Sequence, residues 1–137
     1  MEKTKNIKTK RLVIRKFMPS DWPDLWDYLS DERVVKYEPY GPINQQQSKE
    51  IAKSHSESDE FWAVCLEDKV IGNIYLEEVV DDSWELGFVF HYDYQHQGYA
   101  YEAAYTMIDQ VFAQGAHRIF AECHPENQAS WRLLEKL

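Results

Sequence analysis

Between Gln95 and Ala100 the chain reads Gln-His-Gln-Gly-Tyr-Ala, and here its residue types most plainly suit a chemical task. The run follows the apolar segment Trp84 to Phe90 and opens a stretch with helical periodicity. A helix N-terminus carries backbone N–H groups without intrahelical partners and a partial positive charge, so a pyrophosphate placed there gains several hydrogen bonds at once. Gly98 has no Cβ and lets the backbone approach anionic oxygens, while Ala100 is small enough not to block the next amide. The same letters suit a plain helix start. On local physics alone the two readings weigh equally, because a single glycine in so short a run is a weak signal.

Other reactive side chains form weaker patterns. His91, Asp93 and His96 share a loop, but they lack a distinctive zinc spacing and a partner cysteine, so no metal is expected. Cys123 and His124 are adjacent on an expected strand, where neighbours point to opposite faces, and so make no nucleophile pair. Cys65 and Cys123 each lie in an apolar run and read as small core residues rather than a disulfide framework. Trp22, Trp26, Trp62 and Trp131 read as core or cleft wall.

The elements that must hold these residues follow from the hydrophobic period. Arg11 to Phe17 alternates as a first strand ended by Pro19. A helix follows, with Ser20 and Asp21 as caps, Pro23 in its first turn and Trp22, Leu25, Trp26 and Leu29 as its apolar stripe. Asp31 to Tyr37 suggests another short helix, and Pro39 to Glu60 is the loosest stretch, with room for a short helix between two loops. Phe61 to Leu66, Val70 to Val80 and Trp84 to Phe90 then form an antiparallel meander around turns at Glu67–Lys69 and Asp81–Ser83. Beyond Gly98 the period becomes 3.6 through Ala100, Ala104, Met107, Ile108 and Val111, with Gly115 as the natural stop. Ile119 to Cys123 reads as a short strand and Asn127 to Leu137 as a final helix begun near Pro125. The expected architecture is a single domain over 1–137, an α+β or α/β-like mixed sheet, mostly antiparallel, with helices on both faces.

Bulk properties narrow the class. The chain has 137 residues, the size of one domain, and its five Trp, nine Tyr and six Phe argue against disorder. Fifteen Lys and Arg against 24 Asp and Glu give a formal charge of -9, which opposes binding to nucleic acid or an anionic membrane and favours a basic partner. Met1 to Lys10 is polar and lysine-rich and no segment has transmembrane length, so a cytoplasmic location is expected.

Taken in order, these landmarks resemble the GNAT superfamily of acyl-CoA-dependent N-acetyltransferases. Gln95-x-x-Gly98-x-Ala100 is similar to the superfamily's Q/R-x-x-G-x-G/A loop, whose backbone amides bind the pyrophosphate of acetyl-CoA. Trp84 to Phe90 resembles its fourth strand. Thr9 to Arg15, Glu102-Ala103-Ala104, His117-Arg118-Ile119, Pro125 to Ser130 and Glu135-Lys136-Leu137 resemble, in order and spacing, the ribosomal-protein-alanine N-acetyltransferase branch. The resemblance spans nearly the whole chain. It implies the GNAT fold, acetyl-CoA as co-substrate, and cofactor contacts from Phe88, Val89, Phe90, Gln95, His96, Gln97, Gly98, Tyr99, Ala100 and Asn127. Two departures stand out. Where family members often carry a basic residue before the loop glycine, this chain has His96 and Gln97, leaving backbone donors with little fixed charge behind them. The family's glycine-aromatic pair and two last strands would follow Leu137, so a C-terminally shortened fold is expected, with an open edge beside Ile119–Cys123 and a homodimer through that edge.

Acetyl transfer to an amine requires a neutral amine, a polarised carbonyl and a proton for the leaving sulfur. Glu85, on the strand leading to the loop, is the candidate base, acting through water, with Trp84 and Phe88 expected to desolvate it; a solvent-facing strand glutamate is nearly as good a reading. In the resembled fold that strand splays from its neighbour near Phe88 to Phe90, where a free main-chain N–H meets the thioester carbonyl. The family's tyrosine acid has Leu134 in its place, so the resemblance assigns the proton for sulfur to Ser130 and pantetheine binding to Asn127, both of which also suit helix capping. The expected reaction is acetyl transfer to a protein N-terminal α-amine, a basic ribosomal target among them, or to a small-molecule amine. A non-catalytic acyl-CoA-binding module is the alternative.

Overall fold

The computed structural model describes residues 6–121. Six strands form one sheet in sequence order: β1 Ile7–Lys8, β2 Val13–Lys16, β3 Phe61–Leu66, β4 Lys69–Val80, β5 Ser83–Phe90 and β6 Arg118–Ala121. The first five pair antiparallel and β6 joins β5 in parallel. The helices are α1 Trp22–Leu29, α2 Glu32–Val35, α3 Gln45–Glu57 and α4 Tyr99–Ala113. The expected mixed, mostly antiparallel sheet with helices on both faces is what the chain builds.

Each face of the sheet carries its own apolar core. Leu12, Ile14, Trp62, Val64, Ile74, Leu76, Leu86 and Phe90 pack with Ala103, Ala104, Met107 and Val111 of α4. On the opposite face Phe17, Ala63, Cys65 and Val70 pack with Leu25, Tyr28 and Leu29 of α1, Val35 of α2 and Ala52 of α3. This double covering explains why Phe61–Leu66 reads as a nearly unbroken apolar run instead of alternating.

Three local features depart from the expectations. The polar N-terminal segment contributes β1, whose Ile7 and Lys8 pair with Ile14 and Val13. Asp21 does not cap α1 with its side chain. Instead it accepts from the Met18 N–H at 2.8 Å and from both terminal nitrogens of Arg15 at 2.8 and 2.9 Å, closing a 3-10 turn over Pro19–Asp21. The helix expected within Pro39–Glu60 is present but longer than read, the thirteen residues of α3, whose start is fixed as Asn44 and Gln47 satisfy each other's backbone N–H at 2.8 and 2.9 Å. The buried Ser48 then donates to the Trp22 carbonyl at 2.7 Å, which seats the polar helix on α1.

Candidate functional site

The site begins where β5 ends. Gly72 of β4 lies opposite Phe90, and the Phe90 ring covers it so closely that a Cβ there would stand 2.5 Å from the ring and 2.7 Å from the Val89 carbonyl oxygen. The chain then turns through a 3-10 segment, Tyr92–Tyr94. His91 is buried; its Nδ1 accepts from the Asp93 N–H at 3.1 Å, so its Nε2 donates to Asp27 at 2.9 Å. Both ring nitrogens of His91 are thus engaged inside the fold.

Two side chains of the loop also point their polar ends back into it. Gln95 donates to the Phe90 carbonyl at 3.0 Å and Gln97 to the Asp93 carbonyl at 2.7 Å. Their part is therefore to shape the turn. His96 and Gly98 take left-handed backbone conformations, φ 62° and 84°. Gly98 is the N-cap of α4 and no side chain caps that helix; the first α-helical bond runs from the Glu102 N–H to the Gly98 carbonyl at 3.0 Å. The structure thus brings Phe90, Gln95, His96, Gln97, Gly98, Tyr99 and Ala100 together at one helix start whose cap offers no oxygen of its own. That suits an anionic ligand held by backbone amides.

Glu85 sits farther back on β5, half-buried, opposite Glu77 of β4. Tyr75, two residues before Glu77, donates its hydroxyl to that carboxylate. Trp84 and Phe88, expected from the sequence to flank Glu85, lie on the other face of the strand from it. Strand neighbours alternate faces, and Trp84 and Phe88 pack against the α4-side core with Leu86 and Phe90, whereas Val89 packs on the α1 side. The β5–β6 pairs run from Ser83↔Arg118 to Leu86↔Ala121. Gly87 to Phe90, which include the three residues expected to line the splayed cleft, continue the ladder with β4. Asn127, Ser130 and Cys123 lie outside the described residues; of the expected Ile119–Cys123 edge, residues 119–121 fall in β6, the last strand of the described sheet.

Sequence reasoning named the residues of the Thr9–Arg15 segment only as an opening strand, yet Arg11 belongs to this site. Its Nη1 donates to the Gln97 carbonyl at 3.1 Å, its Nε to Glu102 at 2.7 Å, and its guanidinium lies 4.3 Å from the Tyr99 ring centroid. Glu102 also accepts from the Arg11 backbone N–H at 2.8 Å and from the Thr9 hydroxyl. Burial alone would raise the Glu102 carboxyl, but the Thr9 and Arg11 hydrogen bonds and the guanidinium charge outweigh it and hold the carboxyl below its ordinary value. A separation of 91 positions hides the Arg11–Glu102 pair from any local pattern.

Known proteins share this fold and parts of this sequence. A family model described as an acetyltransferase (GNAT) domain matches residues 11–137. The chain is 38% identical to YnaD of Bacillus subtilis (strain 168), described as an uncharacterized N-acetyltransferase, over 96% of this chain and 81% of that protein. A GNAT-family acetyltransferase from Bacillus anthracis superimposes with a TM-score of 0.90 at 34% identity, covering 96% of this chain and 81% of the other. RimL, a ribosomal L7/L12 alpha-N-protein acetyltransferase solved in complex with coenzyme A, shares the fold at a TM-score of 0.83 and 14% identity, over 96% of this chain and 82% of its own. The matched length and these identities carry one conclusion: the chain belongs to the GNAT family of acetyltransferases.

Proposed function

We propose that this chain transfers an acetyl group from acetyl-CoA to a primary amine, a protein N-terminal α-amine or a small-molecule amine, by direct attack in a ternary complex. The observation that carries the reading is the left-handed Gly98 at the uncapped start of α4, delivered there by the end of β5. The backbone of Gln97 to Ala100 would hold the pyrophosphate, and Phe88 to Phe90 the pantetheine arm; RimL supplies the precedent for coenzyme A on this fold. Bound acetyl-CoA supplies the activated thioester. Glu85 takes a proton from the amine, directly or through one water, as the N–C bond forms and the C–S bond breaks, and Ser130 hands a proton to the departing sulfur.

The acceptor side is acidic. Glu77 and Glu85 face each other across the ladder, an arrangement that like charge disfavours and that a cationic ammonium relieves. An α-amine, with a reference pKa of roughly 7.7 to 8.0, needs far less help to become neutral than a lysine at about 10.4. The test offers acetyl-CoA with a panel of amines and N-terminal peptides, reading acetylated products by mass spectrometry and free thiol in parallel. Stoichiometric thiol release with an acetylated amine is expected. Calorimetric binding of acetyl-CoA without turnover on any amine would favour a binding module instead.

A further inference from the structure

The cofactor loop has no basic residue of its own before Gly98, yet an arginine from the far end of the chain is attached to it. We propose that Arg11 is a positioning residue for the phosphate-binding backbone. Its guanidinium fork, anchored on Glu102, fixes the plane of the Gln97–Gly98 peptide. This proposal rests on the acetyl-CoA reading above.

The argument starts from the planar trans peptide, in which the carbonyl of Gln97 and the N–H of Gly98 point in opposite directions. Arg11 Nη1 grips that carbonyl at 3.1 Å, so the Gly98 N–H is directed away from Arg11. The grip is itself rigid. Nε of the same planar group donates to Glu102 at 2.7 Å, the Tyr99 ring lies beneath the guanidinium at 4.3 Å, and the Glu102 carboxylate is held by the Arg11 N–H at 2.8 Å. Behind it, the Thr9–Leu12 turn is closed by a Thr9 N–H to Leu12 carbonyl bond of 2.9 Å and a Leu12 N–H to Thr9 hydroxyl bond of 3.0 Å. Gly98 leaves room for the clamp, since a Cβ there would stand 3.2 Å from Arg11 Nη2.

The ion pair also decides what kind of help Arg11 gives. Glu102 lies in the first turn of α4, where it would oppose an incoming anion, and the guanidinium balances it one for one. Arg11 therefore orients donors without adding net positive charge. Lysine carries the same charge but cannot span Gln97 and Glu102 with one fork, so it should not substitute.

The experiment compares wild type, Arg11→Gln and Arg11→Lys, with Glu102→Gln as a second cut through the same clamp should an Arg11 variant fold poorly. Affinities for coenzyme A are measured by calorimetry and for pantetheine, which lacks the pyrophosphate, by NMR titration. Backbone order parameters of Gly98 and Tyr99 are read in the ligand-free protein. The two Arg11 variants should weaken coenzyme A binding roughly tenfold, leave pantetheine binding within about twofold and lower the order parameters; Glu102→Gln also removes a charge that opposes the anion, so it is read by the order parameters, which should fall. Wild-type coenzyme A affinity in Arg11→Gln, full rescue by Arg11→Lys, or an equal loss for both ligands would overturn the proposal. A wild-type protein that binds coenzyme A no better than pantetheine would remove the cofactor reading, and the positioning role with it.

Discussion

At the scale of single residues, Glu85 and Arg11 are charged groups with very different surroundings and very different proposed roles. Glu85 stands on a strand interior, opposite another carboxylate, with the aromatic rings of its sequence neighbours on the other side of the sheet. Its use as a base depends on being ionised while the amine is still protonated. Glu85→Gln should therefore lower kcat by about a hundredfold near neutral pH, the low end of the range for general-base catalysis, with the loss shrinking as pH rises and the amine loses its proton unaided. A pH–rate profile of the two proteins checks this, and a constant ratio across the range would remove the assignment. Arg11, in contrast, is proposed to act through the backbone it holds.

Among the elements, α4 and the end of β5 matter most, because their junction is the candidate site. The helix starts at Gly98 without a capping side chain and stops cleanly. The Gly115 N–H bonds to the Phe112 carbonyl at 3.0 Å and the Ala116 N–H to the Val111 carbonyl at 3.3 Å, with Gly115 in the left-handed region at φ 97°. The junction's other half depends on Gly72, because Phe90 lies across it. Gly72→Ala would press a methyl group against both the Phe90 ring and the Val89 carbonyl, and the backbone contact cannot be relieved by a rotamer change. The expected result is a loss of about 1–3 kcal/mol, measured by denaturant unfolding, together with weaker coenzyme A binding because the displaced strand end leads into the loop. Unchanged stability would show that β4 and β5 yield more easily than their packing implies.

For the molecule as a whole, the sheet separates two cores; the start of α4 packs on one, while His91 ties the turn before it to Asp27 of α1 on the other. The α1 side is tied to the sheet by a buried hydrogen bond, Tyr28 donating to Asn73 Oδ1 of β4 at 2.7 Å. Burial pushes the Tyr28 phenol well up, so it stays protonated and able to donate. Tyr28→Phe leaves the Asn73 oxygen buried without its donor and should cost about 1–3 kcal/mol of stability. Coenzyme A affinity should change less than stability, within about twofold, since α4 with Tyr94, Tyr99 and Ala100 packs on the opposite face and only Val89 and the His91–Asp27 bond reach across. Chemical denaturation and calorimetry on the same preparation test both halves, and an affinity loss matching the stability loss would show the two faces to be coupled. Among the described residues no helix is long and apolar enough to cross a membrane.

Periodicity and turn chemistry were enough to read the meander, α4 and the loop at Gln95–Ala100, because strands buried on both faces, a 3.6-residue stripe and a stop glycine are local signals. The formal charge of -9 argued against a nucleic-acid partner, and the apolar runs around the two cysteines against a disulfide framework. The sequence was less informative where a segment's state depends on a distant partner. Ile7 and Lys8 form a strand because β2 lies beside them, and Gln45–Glu57 holds as a helix because a reciprocal cap and the Trp22 carbonyl satisfy its polar side. Which face Glu85 shares, and with what, followed from strand alternation and register rather than from its flanking aromatic residues. The clamp on the cofactor loop was decided only in three dimensions: Arg11 and Glu102 stand 91 positions apart, and only folding the first strand's turn against the start of α4 brings charge and carbonyl within hydrogen-bonding reach.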